Sequence, residues 1–153
     1  MLWISPGWPL LSGPNVHLSA KQQEGIFATI VDLSTQLREA RLTLYSIDSI
    51  GADENLTQVD YYQSFVKGVS ETDQAQIGNL GLQVLATQSG GLALNSTGVT
   101  ELLQQCIADT DAYYEISFAS APAERPNEYH HIEVRVTKPG LISRTRQGYY
   151  AQP

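Results

Sequence analysis

The chain has 153 residues, a formal net charge of -7 and only nine Lys and Arg. That length suffices for one domain with a proper core. The acidic balance leaves no electrostatic footprint for nucleic acid or anionic lipid, and no apolar run is long enough to span a bilayer.

Met1-Leu2-Trp3-Ile4 is apolar from its first residue, and Ser5-Pro6-Gly7-Trp8-Pro9 breaks it at once. It lacks the basic leader and length of a signal peptide. We read it as a buried strand, which needs neighbours on both edges. The expectation is therefore that the chain supplies the second half of a larger α/β domain. Residues 6–18 are rich in Pro, Gly, Ser and Asn and read as a loop.

Ser19 and Gln22 have capping-box spacing, so a helix is expected to open there. Ile26, Ile30, Leu33 and Leu37 fall on one stripe, widened by Phe27 and Val31, and the stripe ends near Ala40. Residues 42–47 form a mostly apolar strand, as in a parallel sheet buried on both faces. The polar stretch 48–71 follows, anchored through Tyr61-Tyr62-Gln63-Ser64-Phe65. A second helix is expected over 72–88, with Gly78 and Gly81 inside it and Ser89-Gly90-Gly91 ending it. Residues 92–94 read as a strand. A third helix, capped by Ser96 or Thr97, carries Val99, Leu102, Leu103, Cys106 and Ile107. Alternating strands and helices predict a parallel sheet.

The period then changes to two. Tyr114, Ile116 and Phe118 alternate with Glu115 and Ser117, and Ile132, Val134 and Val136 alternate with Glu133 and Arg135. Lys138-Pro139-Gly140-Leu141 places Pro and Gly as a type II turn requires, and 142–147 returns. The expectation is a three-stranded antiparallel meander. The predicted fold class is thus α/β, a partial Rossmann-like parallel sheet over residues 1–110 followed by an antiparallel β extension over 111–153.

Several stretches together resemble the von Willebrand factor A-type domain, in the bacterial VWFA-related branch common in Acidobacteria. They are Leu2-Trp3-Ile4-Ser5-Pro6-Gly7, Leu85-Ala86-Thr87-Gln88-Ser89-Gly90-Gly91, and a tail. The tail comprises Tyr113-Tyr114-Glu115-Ile116-Ser117-Phe118, Tyr129-His130-His131-Ile132-Glu133-Val134, Lys138-Pro139-Gly140 and Arg144-Thr145-Arg146-Gln147-Gly148-Tyr149-Tyr150. The resemblance implies that the strands near Leu2, Leu42 and Leu92 are the family's fourth, fifth and sixth, with the first three absent. It also implies protein binding of adhesion type and an extracytoplasmic or secreted parent protein. The family's cation site needs an Asp-x-Ser-x-Ser motif and an Asp after the fourth strand. This chain has no such motif and places Pro6 at the second position, which offers no carboxylate oxygen. No metal ligand and no cofactor are therefore carried over.

Ser5, Gly7, Trp8 and Asp48 are the ligand-binding candidates, because open α/β sheets bind ligands at the carboxyl ends of their strands. A turn whose Trp8 covers the sheet end is the simpler account of Ser5-Pro6-Gly7-Trp8. Asp48, Asp53, Glu54 and Asp60 lack calcium-loop spacing. Adjacent His130 and His131 on a strand face opposite ways and cannot share a metal. Cys106, on an apolar stripe, reads as a buried inert thiol. Of the tyrosine pairs 61–62, 113–114 and 149–150, one member of each is free to pack while the other meets solvent. No catalytic residue is assigned. The expected role is a non-enzymatic module, with a protein partner or self-association through the exposed edge of the opening strand. The alternative is an α/β hydrolase-like enzyme with its site near Ser5, Trp8 and Asp48.

Overall fold

The structure, a computed structural model, describes residues 1–5, 17–49, 61–111 and 113–153. Its elements in chain order are β1 (Leu2–Ile4), α1 (Ala20–Glu39), β2 (Tyr45–Asp48), α2 (Leu82–Gln88), β3 (Ala93–Asn95), α3 (Val99–Thr110), β4 (Glu128–His131) and β5 (Gly148–Ala151). Three short 3₁₀ turns, Tyr61–Phe65, Thr72–Gln74 and Ile77–Leu80, lie between β2 and α2.

The strands β1, β2 and β3 form a parallel sheet in that order, with Ile4 opposite Ile47 and Asp48 opposite Asn95. The α/β class expected from the sequence is the class observed. The central strand β2 is buried on both faces, and its side chains alternate between two cores. Tyr45 and Ile47 meet Leu102 and Cys106 of α3 on one face. The preceding Leu44 meets Leu82, Leu85 and Ala86 of α2, with Leu33 of α1 alongside, on the other. Cys106 is buried as expected.

Ser19 opens α1, and Gln22 Oε1 accepts from both the Ser19 N–H at 2.9 Å and the Ser19 hydroxyl at 2.8 Å. The expected stripe faces inward: Ile30, Val31 and Leu37 are buried. Arg41, at φ 52°, closes the helix in the left-handed region that glycine usually takes. Its N–H bonds to Arg38 O, and that of Leu42 to Leu37 O.

Several expectations need correction. The helix predicted over 72–88 is two 3₁₀ turns and a seven-residue helix. Gly81, at ψ 137°, is extended and caps both Ile77–Leu80 and α2 instead of lying inside one helix. The strands predicted at 42–47 and 92–94 are shifted, to Tyr45–Asp48 and Ala93–Asn95. The predicted meander is absent among the described residues. Residues 113–118, 132–136 and 142–147 form no strand, and among the described residues the one antiparallel pair is β4 with β5. Alternation made these segments look like strands, but a strand also needs a partner at the right register. Both members of the pair Tyr113 and Tyr114 are exposed. Gly140 does take φ +80°, as a type II turn demands.

The β4–β5 ribbon packs on α1. Tyr150 is buried beside Ile30 and Val31, meets Phe27 edge-to-face at 6.0 Å between ring centroids, and donates its hydroxyl to Val69 O at 3.0 Å. Burial pushes the Tyr150 phenol up to about 12. Tyr149, its neighbour, is half-buried, so this pair does split between core and rim.

Candidate interaction surface at the sheet edge

Parallel pairing sends alternate residues of an edge strand toward its neighbour. Tyr45 N–H donates to Met1 O at 2.8 Å, and Ser5 N–H donates to Ile47 O at 2.9 Å. Met1, Trp3 and Ser5 therefore face β2, while the N–H and C=O of Leu2 and Ile4 point outward. Among the described residues neither Leu2 nor Ile4 has a partner there. Their side chains are 41% and 48% exposed. Among the described residues the opening strand thus stands at the sheet margin with the vacant edge that was expected, but its side chains are exposed and not buried as expected.

The register places Ser5 beside Asp48 at the carboxyl end of the sheet. Ser5 Oγ accepts the Trp3 indole N–H at 2.9 Å, and Asp48 O accepts the Ser96 N–H at 3.2 Å. Gly7 and Trp8 lie outside the described residues, as do Asp53, Glu54 and Asp60. Two of the four candidates are therefore brought together. A Ser and an Asp at strand ends do not by themselves make an activated nucleophile, which needs a base in reach and a third group to orient it.

A polar cluster that the sequence did not single out ties the tail to the sheet. Tyr45 donates its hydroxyl to Asp109 Oδ2 at 2.5 Å, and Arg144 pairs with the same oxygen. Arg144 Nε also donates to Gly90 O at 2.8 Å. Arg146 donates to Leu37 O at 3.0 Å and to Leu42 O, meeting the carbonyls at the end of α1. One signal was available: Asp109 stands in the last turn of α3, where the helix dipole disfavours an anion, so it needs a cation from elsewhere.

Burial alone pushes the Asp109 carboxyl up. The hydrogen bonds from Tyr45 and Arg144 and the guanidinium charge outweigh it and hold the carboxyl below its ordinary value. Burial and then the Asp109 contact push Tyr45 up to about 12, so its phenol stays a donor. Burial also raises the Cys106 thiol. Because the folded pKa of Asp109 is depressed, its contribution is present above the unfolded value of about 3.9 and is lost as pH falls through the lower folded value. Asp109→Ala should cost about 2 kcal/mol at neutral pH by leaving a guanidinium and a phenol unmatched. That corresponds to roughly 4–8 °C in the thermal midpoint. The gap between parent and variant should close in acid, below about pH 4. Calorimetry across that range checks it, and a constant gap would count against the assignment.

His130 and His131 lie in β4, in the two-stranded sheet and not the parallel one. His130 Nδ1 is 3.2 Å from the Tyr149 hydroxyl, and its Nε2 is 3.2 Å from Glu128 Oε1. Glu133 is held by a two-point contact to Arg135 at 2.7 and 3.0 Å. Among the described residues no three His, Cys, Asp or Glu are grouped to hold a metal ion, and no helix is long and apolar enough to cross a membrane. No protein-family model matches the sequence, and comparison with curated proteins and with solved structures finds no match.

Proposed function

We propose that this chain is a non-enzymatic protein-binding module, similar to a von Willebrand factor A-type domain, that takes its partner by strand addition at β1. The observation that carries the reading is the outward backbone of Leu2 and Ile4 on an uncovered apolar strand. An open edge is a template for another strand: main-chain hydrogen bonds supply affinity and alternate side chains supply specificity. The three strands pair in parallel in chain order, as a general α/β module does, and leave β1 at the edge. The extended tail adds exposed apolar side chains, with Tyr114 at 93% and Ile142 at 98% exposure. Such surfaces mark interaction sites when they cluster.

The partner strand comes from another protein or from a second copy. Size exclusion with light scattering over a concentration series tests the second source directly. A mass above the monomer that rises with concentration is expected. A monomer at every concentration, together with no mass shift on adding strand-forming peptides, would sink the reading.

A further inference from the structure

Helices α1 and α2 cover one face of the parallel sheet, where Leu33, Leu82, Leu85 and Ala86 surround Leu44. The opposite face, at Tyr45 and Ile47, is covered by Leu102 and Cys106 of α3. The two crossovers on the first face step the strands in one direction, from β1 to β2 to β3. Connections between parallel strands are right-handed almost without exception, so a crossover on the other face must step back the opposite way. A strand following α3 then belongs on the far side of β2, and the vacant place there is the outer edge of β1. The outer edge of β3 would need the disfavoured left-handed crossing. This reversal is the rule in doubly wound sheets.

The residues after α3 have the pattern of such a strand. Tyr114, Ile116 and Phe118 alternate with Glu115 and Ser117, as suits an edge strand with one covered face. The helix ends at Thr110, so the link is of the short length usual between helix and strand. Yet among the described residues no backbone group of 113–118 has a hydrogen-bond partner, and Tyr114, Ile116 and Phe118 are exposed. The segment already lies at the end of the sheet where the strands start. Asp109 accepts the Tyr45 hydroxyl there, and Glu115 pairs with Arg41 at 3.6 Å. That ion pair is exposed on both sides and holds the segment weakly. At its far end Phe118 meets the Tyr149 ring at 6.2 Å between centroids. Residues 119–127 then give about 30 Å of reach before β4, and of these only Ala123 is buried.

We infer that residues 113–118 are a strap that closes on the β1 edge as a fourth parallel strand and competes there with a partner strand. Closure pairs the outward backbone groups of Leu2 and Ile4 with those of the strap, and it covers apolar side chains of both. The inference rests on the open β1 edge of the proposed function and adds its regulation. A partner binds only the fraction of molecules whose strap is away, so its apparent affinity falls by that fraction.

Hydrogen exchange at the Ile4 amide, read by NMR over a dilution series, tests the strap. Slowing of about tenfold that does not change on dilution is expected, because the strap belongs to the same chain. Ile116→Pro removes a donor and sets a ring in the strap, and it should abolish the slowing. Ile116→Asp charges the apolar face and should act in the same direction. Ile116 is exposed and unpaired, so the rest of the fold tolerates both. The probe for competition is the acetylated, amidated peptide of residues 113–118. It should bind each variant about tenfold more tightly than the parent. No slowing at Ile4, slowing lost on dilution, slowing kept in both variants, or equal peptide affinity of parent and variants would overturn the inference. Dilution-independent slowing that both variants lose, with no peptide binding and no self-association in any form, would uphold the strap and sink the partner reading alone.

Discussion

Gly91→Ala is expected to unfold the protein or nearly so. Gly91 follows α2 and leads into β3, where its backbone lies directly against that of Leu44. A Cβ there would fall inside the van der Waals envelope of Leu44 O, with Leu44 C at 2.8 Å and the Thr43 side chain at 3.2 Å. The neighbours that would have to move are main chain, not a flexible side-chain tip. Leu44 is fixed from the same side, since its N–H donates to the buried Ser89 hydroxyl at 2.8 Å. Ser46 N–H donates to Leu92 O at 2.9 Å, so a shift at Gly91 propagates into the β2–β3 pairing. The cost should be about 3 kcal/mol or more, a large share of a domain's total stability. Gly25→Ala is the control. Gly25 lies within α1 and nothing approaches its would-be Cβ within 4 Å. That substitution should stabilise by roughly 0.5–1 kcal/mol. Denaturant unfolding of both variants checks the pair, and similar midpoints for the two would refute the close-approach argument.

Ile4→Pro is expected to abolish strand addition while leaving the fold intact. The Ile4 N–H points away from β2, so proline removes no hydrogen bond of the sheet. Proline is tolerated on edge strands for this reason. Its ring would block an incoming strand and deny it one donor. The loss should weaken association by about tenfold or more. The Ile4 side chain is half exposed, so little packing is lost. Light scattering should show the variant as a monomer where the parent assembles, with near-unchanged circular dichroism. Unaltered assembly by Ile4→Pro would place the contact elsewhere.

Periodicity revealed what local patterning controls. The α1 stripe, its Ser19 cap, the buried β2, the glycine stop after α2 and the burial of Cys106 were all readable, because each depends on neighbours in sequence. The division of β2 between two cores followed from its near-continuous apolarity. Failures came where tertiary pairing decides. Residues 113–118 and 132–136 alternate like strands but find no ladder partner among the described residues. The segment 72–88 has helical spacing, yet Gly81 in extended conformation divides it. Ser5 and Asp48 were placed at one end of the sheet correctly. The clamps by Arg144 and Arg146 were not legible, since their partners Asp109, Leu37 and Leu42 lie far away in the chain.

The seat of Tyr150 against α1 has a consequence for biosynthesis. Ile30 and Val31 emerge early, but the ring that completes their covering is made about 120 residues later. A nascent chain leaving the ribosome carries the face of α1 without this part of its cover until Tyr150 has emerged, and exposed apolar helices of this kind are what holdase chaperones engage.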